Sequence, residues 1–467
     1  MSLVPRIFPY EYPRLAQIEI WSALSKLNES RVIFIEAPTG VGKTVALLSY
    51  LLEKYDKVLW FCYTHRQQEV VLKEARRIEE KIGVPLNTVL IRGISTLCPV
   101  KEVRESDIPH ILCRKVGFKC VLCPYREQFL KALSARVVVA TYAYLKPRFF
   151  QRIAEILESA DVVVLDEAHH LLLPPKIEIS IQWAEKVARV DGNEVIRKML
   201  RREKSIRFCE DFAVSEFGEE ILARLKEAGI VYYDKKEDKY VGLYKDFHSF
   251  LREKIREKKI VVTSATLPEQ IKCIIGNGAF YRVHRHEYRF YPVIYSGIKL
   301  PKRAWKYKRF LKEVDWVLSV ASKFYRRVLA VFPSRELLER YGKKYNNVIF
   351  IVAGSREAEG IDVDADIAIV LGVPYDRVSK ITVETVKYFR RYSSRPKLIG
   401  YELPAIIKAV QAIGRVLRKS NRVVVFFDER WIKLKKYFPA WLKNEGIKIS
   451  SKRPQLYNEL IFYSCLI

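Results

Sequence analysis

The sequence lacks the apolar segments that would place it in a membrane. No run of about 18 uncharged apolar residues occurs in its 467 residues, and a helix that crosses a bilayer needs roughly that length. The N-terminal stretch, residues 1–14, also lacks the pattern of a signal peptide. We therefore expect an intracellular, cytoplasmic protein with no membrane partner.

Acidic residues are scarce relative to basic ones. The chain has 83 Lys and Arg against 54 Asp and Glu, which gives a formal net charge of +29. Such an excess favours polyanionic partners and predicts binding that weakens as salt rises. A generally solvated basic surface would have the same composition, so charge alone leaves the partner open.

Cysteines are few, and half of them are crowded together. Eight cysteines in a chain expected inside the cell argue against a disulfide framework. Four of them fall in one segment with the spacing C-x14-C-x6-C-x2-C: Cys98, Cys113, Cys120 and Cys123. Four thiolates suit either a 4Fe–4S cluster or a tetrahedral Zn²⁺. A zinc ribbon usually has two C-x2-C pairs and this segment has one, so the spacing is atypical of a zinc ribbon but leaves both occupants open.

Apolar, β-branched segments alternate with helical ones through most of the chain. The first set of strand candidates comprises residues 31–36, 58–63, 88–92, 136–140, 161–165 and 260–263. The second set comprises residues 327–332, 348–352, 366–371 and 422–427. This alternation is typical of parallel sheets with crossover helices. We therefore predict an α/β fold with two parallel-sheet domains.

Two stretches interrupt the first set and are predicted to be insertions. Residues 94–130 contain the four clustered cysteines, and residues 171–258 are charged, with a helical pattern and no buried-strand pattern. The predicted domains follow from these interruptions. The first sheet domain takes residues 1–93, 131–170 and 259–285, and the second takes residues 286–467.

A phosphate-binding loop follows the first strand candidate. Residues 35–44 read IEAPTGVGKT, which places A-x-x-x-x-G-K-T between an apolar run and a helical stretch. Glycines let backbone N–H groups approach phosphate oxygens, the lysine brings charge to the outer phosphates, and the hydroxyl suits Mg²⁺. The pattern predicts a site for ATP and Mg²⁺ formed by Thr39, Gly40, Val41, Gly42, Lys43 and Thr44.

A carboxylate pair ends a later strand candidate. Residues 162–170 read VVVLDEAHH. Asp166 is predicted to hold Mg²⁺ directly or through water, and Glu167 to orient or deprotonate the attacking water. Either motif alone occurs by chance, but the two in this order, each after a buried strand, predict ATP hydrolysis with Lys43, Asp166 and Glu167 as catalytic residues.

Basic and aromatic residues are interleaved near the start of the second domain. Residues 286–327 hold eleven Lys and Arg against three Asp and Glu. Six rings lie among them: Tyr288, Phe290, Tyr291, Trp305, Tyr307 and Phe310. Such a mixture suits a single-stranded nucleic acid, whose backbone follows the charges while its bases stack on rings. The alternative is an amphipathic element whose rings face the core.

Three further motifs complete a set: TSAT at 263–266, EGID at 359–362 and QAIGRVLR at 411–418. Together with the phosphate loop and the acidic motif, they resemble those of the superfamily 2 helicases, and within them the XPD/DinG group of iron–sulfur helicases. The resemblance covers most of the chain, from Arg14 to Arg430. It implies two RecA-like motor domains, a four-cysteine 4Fe–4S domain and an arch-like insertion, here small and helical.

The resemblance also implies roles for single residues. Gln411, Arg415 and Arg418 match the motif that meets the γ-phosphate, and the two arginines, three apart on one helix face, are suited to be arginine fingers. Gly360 and Asp362 match a loop that senses nucleotide and DNA, and Gln17 matches the residue that recognises adenine. Three residues match the coupling between hydrolysis and strand separation: His169, Ser264 and Thr266.

The activity implied by the resemblance is that of an ATP-dependent DNA helicase. The group's polarity implies 5′→3′ translocation on single-stranded DNA. The resemblance also implies binding to single-stranded and forked DNA, a role in DNA repair or related DNA metabolism, and association with a prokaryotic nucleoid. Two alternatives stay open. One is an ATP-switched DNA-binding or damage-recognition module that does not unwind by itself, which the short insertion favours. The other is an RNA helicase.

Overall fold

Three β-sheets organise the protein in a computed structural model. The structure describes residues 3–106, 109, 112–113, 120, 122–189, 193–208, 216–284, 289–301, 307–342, 345–355, 364–414 and 421–467. Two of the sheets are parallel, with seven and six strands, and the third is antiparallel with four.

The strands, in chain order, are β1 (Val32–Glu36), β2 (Val58–Cys62), β3 (Val89–Leu90), β4 (Val137–Thr141), β5 (Val162–Asp166), β6 (Lys176–Ser180), β7 (Ser205–Arg207), β8 (Ile230–Asp234), β9 (Lys239–Leu243), β10 (Lys259–Ser264), β11 (Ala279–Arg282), β12 (Phe290–Tyr295), β13 (Val328–Phe332), β14 (Val348–Val352), β15 (Ile367–Leu371), β16 (Arg422–Phe427) and β17 (Lys448–Ser450).

The α-helices are α1 (Leu15–Leu24), α2 (Lys43–Lys54), α3 (His65–Ile82), α4 (Ile94–Leu97), α5 (Lys101–Arg104), α6 (Pro124–Ser134), α7 (Pro147–Phe150), α8 (Ala154–Ser159), α9 (Ile181–Ala188), α10 (Glu194–Leu200), α11 (Glu216–Ala228), α12 (Phe247–Ile255), α13 (Lys272–Ile275), α14 (Lys308–Phe324), α15 (Arg335–Tyr341), α16 (Lys380–Tyr388), α17 (Leu403–Ile413), α18 (Trp431–Leu434), α19 (Ala440–Lys443) and α20 (Arg453–Ser464). Within the described ranges, none of the helices is both long and apolar enough to span a bilayer.

The first sheet has the strand order β11-β1-β10-β5-β2-β4-β3, and all of its pairs are parallel. Its central strands β2 (VLWFC) and β5 (VVVLD) are almost wholly apolar and fully buried, as strands covered by helices on both faces must be. The carboxyl ends of β1, β10, β5 and β2 therefore meet along one edge, which is where parallel α/β sheets bind ligands.

The second sheet has the order β14-β13-β15-β16-β12-β17, again wholly parallel. Every predicted strand of both sets has a counterpart in the structure, so the prediction of an α/β fold with two parallel sheets is confirmed. The residue boundaries predicted for the domains stay a prediction.

The predicted helical insertion at 171–258 is helical only in part, and the expected absence of strands there was wrong. This region contains the antiparallel sheet β6-β9-β8-β7 together with α9 to α12. Its strands are short and half polar: β6 reads KIEIS and buries alternate residues. A five-residue alternation among many charges gives a weak strand signal, and the pairing that stabilises it joins segments more than 50 residues apart.

Two strands of the second sheet, β12 and the three-residue β17, were missed. β12 carries Pro292 and still pairs on both sides, with β16 and with β17. Proline within a run normally argues against an internal strand. The start of the second domain, predicted at residue 286, therefore lies just before a strand of the second sheet.

Within the basic and aromatic segment, the described rings mostly serve the core. Phe290 is buried, Tyr291 stacks on Tyr463 with centroids 4.5 Å apart, and Phe310 packs against the core of the second sheet. Tyr307 is the exposed exception. The alternative that the rings face the core was therefore correct for Phe290, Tyr291 and Phe310. Tyr288 and Trp305 lie outside the described residues.

Candidate nucleotide site

The phosphate loop has the backbone that its glycines predict. Gly40 and Gly42 have φ values of 84° and 76°, in the left-handed region that favours glycine. The helix α2 begins directly afterwards, at Lys43, with Gly42 as its N-cap. Its first-turn N–H groups therefore face the loop, which is the arrangement that binds phosphate at a helix N-terminus.

Lys43 lies between the two carboxylates of the acidic motif. Its Nζ is 3.4 Å from Asp166 Oδ1 and 3.5 Å from Glu167 Oε1, and all three side chains are largely buried. Burial lowers the pKa of Lys43, but Glu167 and Asp166 outweigh that effect and raise it overall. The ammonium is therefore charged, and one cation faces two carboxylates.

The environment separates the two carboxylates. Burial raises the pKa of Asp166, and Lys43 only partly opposes the rise. Burial acts in the same direction on Glu167, but Lys43 and His169 outweigh it, so the pKa of Glu167 is lowered. Glu167 therefore stays ionised, as a group that orients water must, and Asp166 is the carboxylate that gains most from a further cation.

A strained backbone presents Glu167 to the site. Its φ of 52° and ψ of 44° lie in the left-handed region, which costs free energy in a residue other than glycine and is concentrated at functional sites. Ser264 Oγ donates to Glu167 Oε2 over 2.8 Å, and His169 Nδ1 lies 2.8 Å from that hydroxyl and 3.2 Å from Glu167 Oε2. The two side chains fix the orientation of the carboxylate.

The second sheet domain reaches this site through α17. Gln411 donates from Nε2 to Thr266 Oγ1 over 2.9 Å, and Thr266 N donates to Ser264 Oγ over 3.1 Å. Thr39 Oγ1 donates to the carbonyl of Gly414 over 2.9 Å. The phosphate loop, the TSAT segment and α17 are thus joined by hydrogen bonds.

Four predicted residues fall outside the described residues: Gly360, Asp362, Arg415 and Arg418. The predictions made for them stay predictions. The described chain that leads to the two arginines, α17 and Gly414, ends beside the phosphate loop.

Gln17 packs against the phosphate loop from α1. Its Nε2 donates to the carbonyl of Gly42 over 3.3 Å, and its Oε1 accepts from Arg14 N over 2.9 Å. A side chain added at Gly42 would collide with the Gln17 amide. Its assignment to adenine stays a prediction, since these contacts are to protein.

A cavity of about 590 Å³ opens between α1, the phosphate loop and α3. Thr39, Gly40, Gly42, Lys43, Thr44 and Glu167 line one end. The other end is lined by Phe8, Tyr10, Tyr12, Arg14 and Gln17. The three N-terminal rings were missed by the sequence analysis, although the aromatic cluster in IFPYEYPR was a visible signal. Val41, by contrast, is buried in the core of the first sheet.

A second missed group ties the end of β1 to the second domain. Glu36 is buried and accepts from Ala440 N over 2.8 Å through Oε2, while Trp441 Nε1 donates to the carbonyl of Ala265 over 2.7 Å. Burial raises the pKa of Glu36 to about 7. Its position just before the phosphate loop was visible in the sequence, but its partner lies 404 residues away.

The four clustered cysteines are all free thiols in one small region. Cys98 belongs to a small apolar cluster against which Cys113 and Cys123 pack, and burial raises the pKa of Cys113. Among the described residues no group of three or more His, Cys, Asp or Glu is arranged to hold a metal ion. The apolar cluster around them is small, centred on Ile94, Val103 and Tyr125.

Two family models match the chain. The DEAD/DEAH box helicase model matches residues 15–199, and the helicase C-terminal domain model matches residues 317–445. The first match contains the phosphate loop and the acidic motif, and the second contains α17.

Curated relatives and solved structures agree with these matches. The ATP-dependent DNA helicase XPD of Sulfolobus acidocaldarius is 24% identical over 90% of this chain and 95% of its own. The XPD helicase subunit of general transcription and DNA repair factor IIH from Dictyostelium discoideum is 26% identical over 35% of this chain and 29% of its own. A solved XPD helicase structure has a TM-score of 0.67 at 20% identity, covering 94% of this chain and all of that one. A solved apo XPD structure has a TM-score of 0.62 at 19% identity, covering 92% and 99%.

Proposed function

We propose that this chain, which resembles XPD helicases along most of its length, is an ATP-dependent DNA helicase that translocates on single-stranded DNA. The observation that carries the proposal is the position of Lys43, within 3.5 Å of both Asp166 and Glu167, beside a helix contributed by the second sheet. Hydrolysis at such a junction can be converted into relative movement of the two domains.

The residues of the site divide the work of hydrolysis. Lys43 turns from the carboxylates to the outer phosphates once a nucleotide is present, since the phosphates carry the larger negative charge. Glu167, ionised and held by Ser264 and His169, orients the attacking water and accepts its proton. Water is excluded as the second domain closes over the loop at Thr39.

The donor set fits Mg²⁺. Asp166 and Thr44 offer hard oxygen atoms, and Mg²⁺ is usually held by one or two such protein ligands together with substrate phosphates and water. Burial raises the pKa of Asp166 and so makes its ionised form unfavourable. A neighbouring cation would offset that effect, which supports Asp166 as a ligand of Mg²⁺. When bound, the ion would neutralise charge on the phosphates.

The second domain supplies the remaining polar groups. Gln411 would contact the γ-phosphate or the attacking water, and Arg415 and Arg418 would act as arginine fingers, which in other NTPases are worth about 10³–10⁵ in rate. Gly360 and Asp362 would sense nucleotide and DNA. Ser264, Thr266 and His169 would couple hydrolysis to strand separation.

The far end of the cavity suits a purine base. Tyr10 and Tyr12 provide exposed rings beside Gln17 and Arg14, and aromatic rings bind bases by stacking. With phosphates at the loop and the base among these rings, the cavity accommodates ATP. Gln17 would contribute by orienting the loop through Gly42 as well as by contacting adenine.

The cysteine segment is proposed to hold a 4Fe–4S cluster through Cys98, Cys113, Cys120 and Cys123. Four cysteines in one segment match the ligand set, and three of them, Cys98, Cys113 and Cys123, lie in or against one small apolar cluster. The local apolar core is too small to order the segment by itself. The cluster would therefore be structural, with Zn²⁺ as the competing occupant.

Single-stranded and forked DNA are the proposed partners, with 5′→3′ movement and a role in DNA repair or related DNA metabolism near the nucleoid. The excess of positive charge supports a polyanionic track. A test would follow unwinding of forked, 5′-tailed and 3′-tailed DNA duplexes and of matched RNA duplexes, using protein prepared without oxygen and Lys43→Ala as the control.

We expect opening that requires ATP and a 5′ tail and that is lost in Lys43→Ala. A requirement for a 3′ tail would overturn the direction, and a preference for RNA would overturn the substrate. ATPase activity that DNA stimulates without any strand opening would favour the ATP-switched binding module. ATPase activity that persists in Lys43→Ala would overturn the site assignment.

A further inference from the structure

The imidazole of His170 lies flat against the ring of Tyr63. Their centroids are 3.6 Å apart and the planes differ by 8°. Burial, with a contribution from His169, lowers the pKa of His170 to about 2. The ring is therefore neutral at physiological pH and packs as an aromatic group. The roles assigned above to the residues of the hydrolytic site make no use of His170.

The two rings belong to neighbouring loops at the ligand-binding edge of the first sheet. Tyr63 follows β2, and His170 lies in the 3₁₀ turn Ala168–Leu171 that follows β5. These two strands are paired directly. The stack is thus a side-chain bridge between the turn that carries the hydrolytic carboxylate and the next loop along the edge.

The 3₁₀ turn is tied closely to the hydrolytic carboxylate. His170 N donates to the carbonyl of Glu167 over 3.0 Å, and the His170 ring lies 4.0 Å from the His169 ring. His169 in turn contacts the Glu167 carboxylate and Ser264. A displacement of Tyr63 therefore reaches Glu167 through two ring contacts.

The loop after β2 is open to a ligand larger than a nucleotide. Tyr63 is 48% exposed, and His65 and Arg66, which begin α3, are exposed as well. Parallel α/β sheets bind their ligands outside the carboxyl ends of the strands. Aromatic and cationic side chains presented together are typical of surfaces that contact single strands.

We propose that the Tyr63–His170 stack transmits the binding of a nucleic-acid strand at the loop after β2 to Glu167, which makes His170 a positioning residue for hydrolysis. The inference rests on the proposed function, since it requires a strand that stimulates the ATPase. A stack that only stabilised the loop would change the melting temperature and leave the stimulation by DNA unchanged.

The test measures steady-state ATPase rates with and without single-stranded oligo-dT for wild type, His170→Ala, His170→Phe and Tyr63→Ala. We expect both alanine variants to lose about fivefold or more of the stimulation by DNA, measured for each variant as the ratio of the stimulated rate to its own basal rate. His170→Phe keeps a flat ring and should retain the stimulation. The double alanine variant should lose no more of the stimulation by DNA than either single variant, because both changes remove the same contact.

Tyr457→Ala is the matched control, since Tyr457 is an exposed tyrosine on α20 of the second domain and belongs neither to the loop after β2 nor to the turn after β5. Thermal unfolding is measured for every variant. If His170→Ala fails to fold, the inference is tested with Tyr63→Ala, because Tyr63 is half-exposed. Wild-type stimulation in Tyr63→Ala, or its loss in His170→Phe, overturns the inference and leaves the proposed function standing. A wild-type ATPase that DNA does not stimulate overturns both.

Discussion

Gln411 donates from Nε2 to Thr266 Oγ1 over 2.9 Å, and this hydrogen bond joins the two parallel-sheet domains at the hydrolytic site. Thr266 N donates to Ser264 Oγ, which donates to Glu167 Oε2. Three consecutive hydrogen bonds therefore connect the second domain to the carboxylate that orients water. A rotation of the second domain would act on this chain of hydrogen bonds first at the Gln411–Thr266 hydrogen bond.

Gln411→Ala should lower kcat for ATP hydrolysis by about 10²-fold, the scale found when one preorganised donor is removed from an active site. The KM for ATP should change much less, because the phosphate loop and the cavity are intact. Steady-state kinetics checks both values. Thr266→Val removes the partner hydroxyl. If the losses of kcat in Gln411→Ala and Thr266→Val, expressed as free energies, add up in the double variant, the two side chains act separately.

Glu167→Gln should abolish most of the hydrolysis while ATP still binds. The amide keeps the shape and can accept from Ser264, but it cannot accept a proton, and loss of a general base costs about 10²–10⁴-fold. Rates are compared with nucleotide affinity from a fluorescent ATP analogue. Ser264→Ala, which only loosens the carboxylate, should lose less; equal losses would mean that orientation matters more than basicity.

Glu36→Gln should stabilise the protein at high pH and not at low pH. The folded pKa of Glu36, about 7, lies above its unfolded value because of burial. The native state therefore binds the extra proton, and its stability falls as pH rises from roughly 4.5 to 7, by at most about 3 kcal/mol. Melting temperatures of wild type and Glu36→Gln should diverge across that window.

Glu269→Gln is the control for this pH dependence, because Glu269 lies near Glu36 but is exposed and paired with Arg282. Its melting temperature should track that of the wild type. If the melting temperatures of Glu36→Gln and the wild type change with pH in parallel, Glu36 ionises normally in the folded state. The interdomain contact to Ala440 N survives the change, since the amide oxygen also accepts.

Cys113→Ser should release the metal centre of the cysteine segment, whereas Cys273→Ser should not. Cys273 is a partly buried thiol whose Sγ contacts the carbonyl of Gln270, outside that segment. Iron, zinc and labile sulfide are measured in protein purified without oxygen. Iron and sulfide in equal amounts, lost in Cys113→Ser alone, are the expected result, and zinc without sulfide would replace the cluster by a Zn²⁺ site.

The parts of the site carried by contiguous motifs could be predicted from the sequence. Gly40, Gly42 and Lys43 act through backbone and side chain within one loop, and Asp166 and Glu167 end one buried strand. Runs of apolar, β-branched residues likewise predicted ten of the thirteen strands of the two parallel sheets. Local composition determines such features, because the residues that make them are neighbours in the chain.

Features that depend on distant contacts were missed or misjudged. The short strands β6 to β9 are stable only as a paired sheet, and Pro292 concealed β12 although the strand pairs on both sides. The rings at Phe290 and Tyr291 were compatible with a strand-binding surface until their burial was known. No local pattern distinguishes a ring that packs inward from one that faces solvent.

The sequence by itself determined that the chain has two parallel α/β sheets, a phosphate loop and an acidic motif, because each is encoded by residues a few positions apart. Only the tertiary structure decided that Glu36 meets Ala440, that Gln411 meets Thr266 and that His170 stacks on Tyr63. These contacts join segments from about 100 to 400 residues apart. Their geometry depends on how the sheets and loops pack, which no stretch of sequence specifies alone.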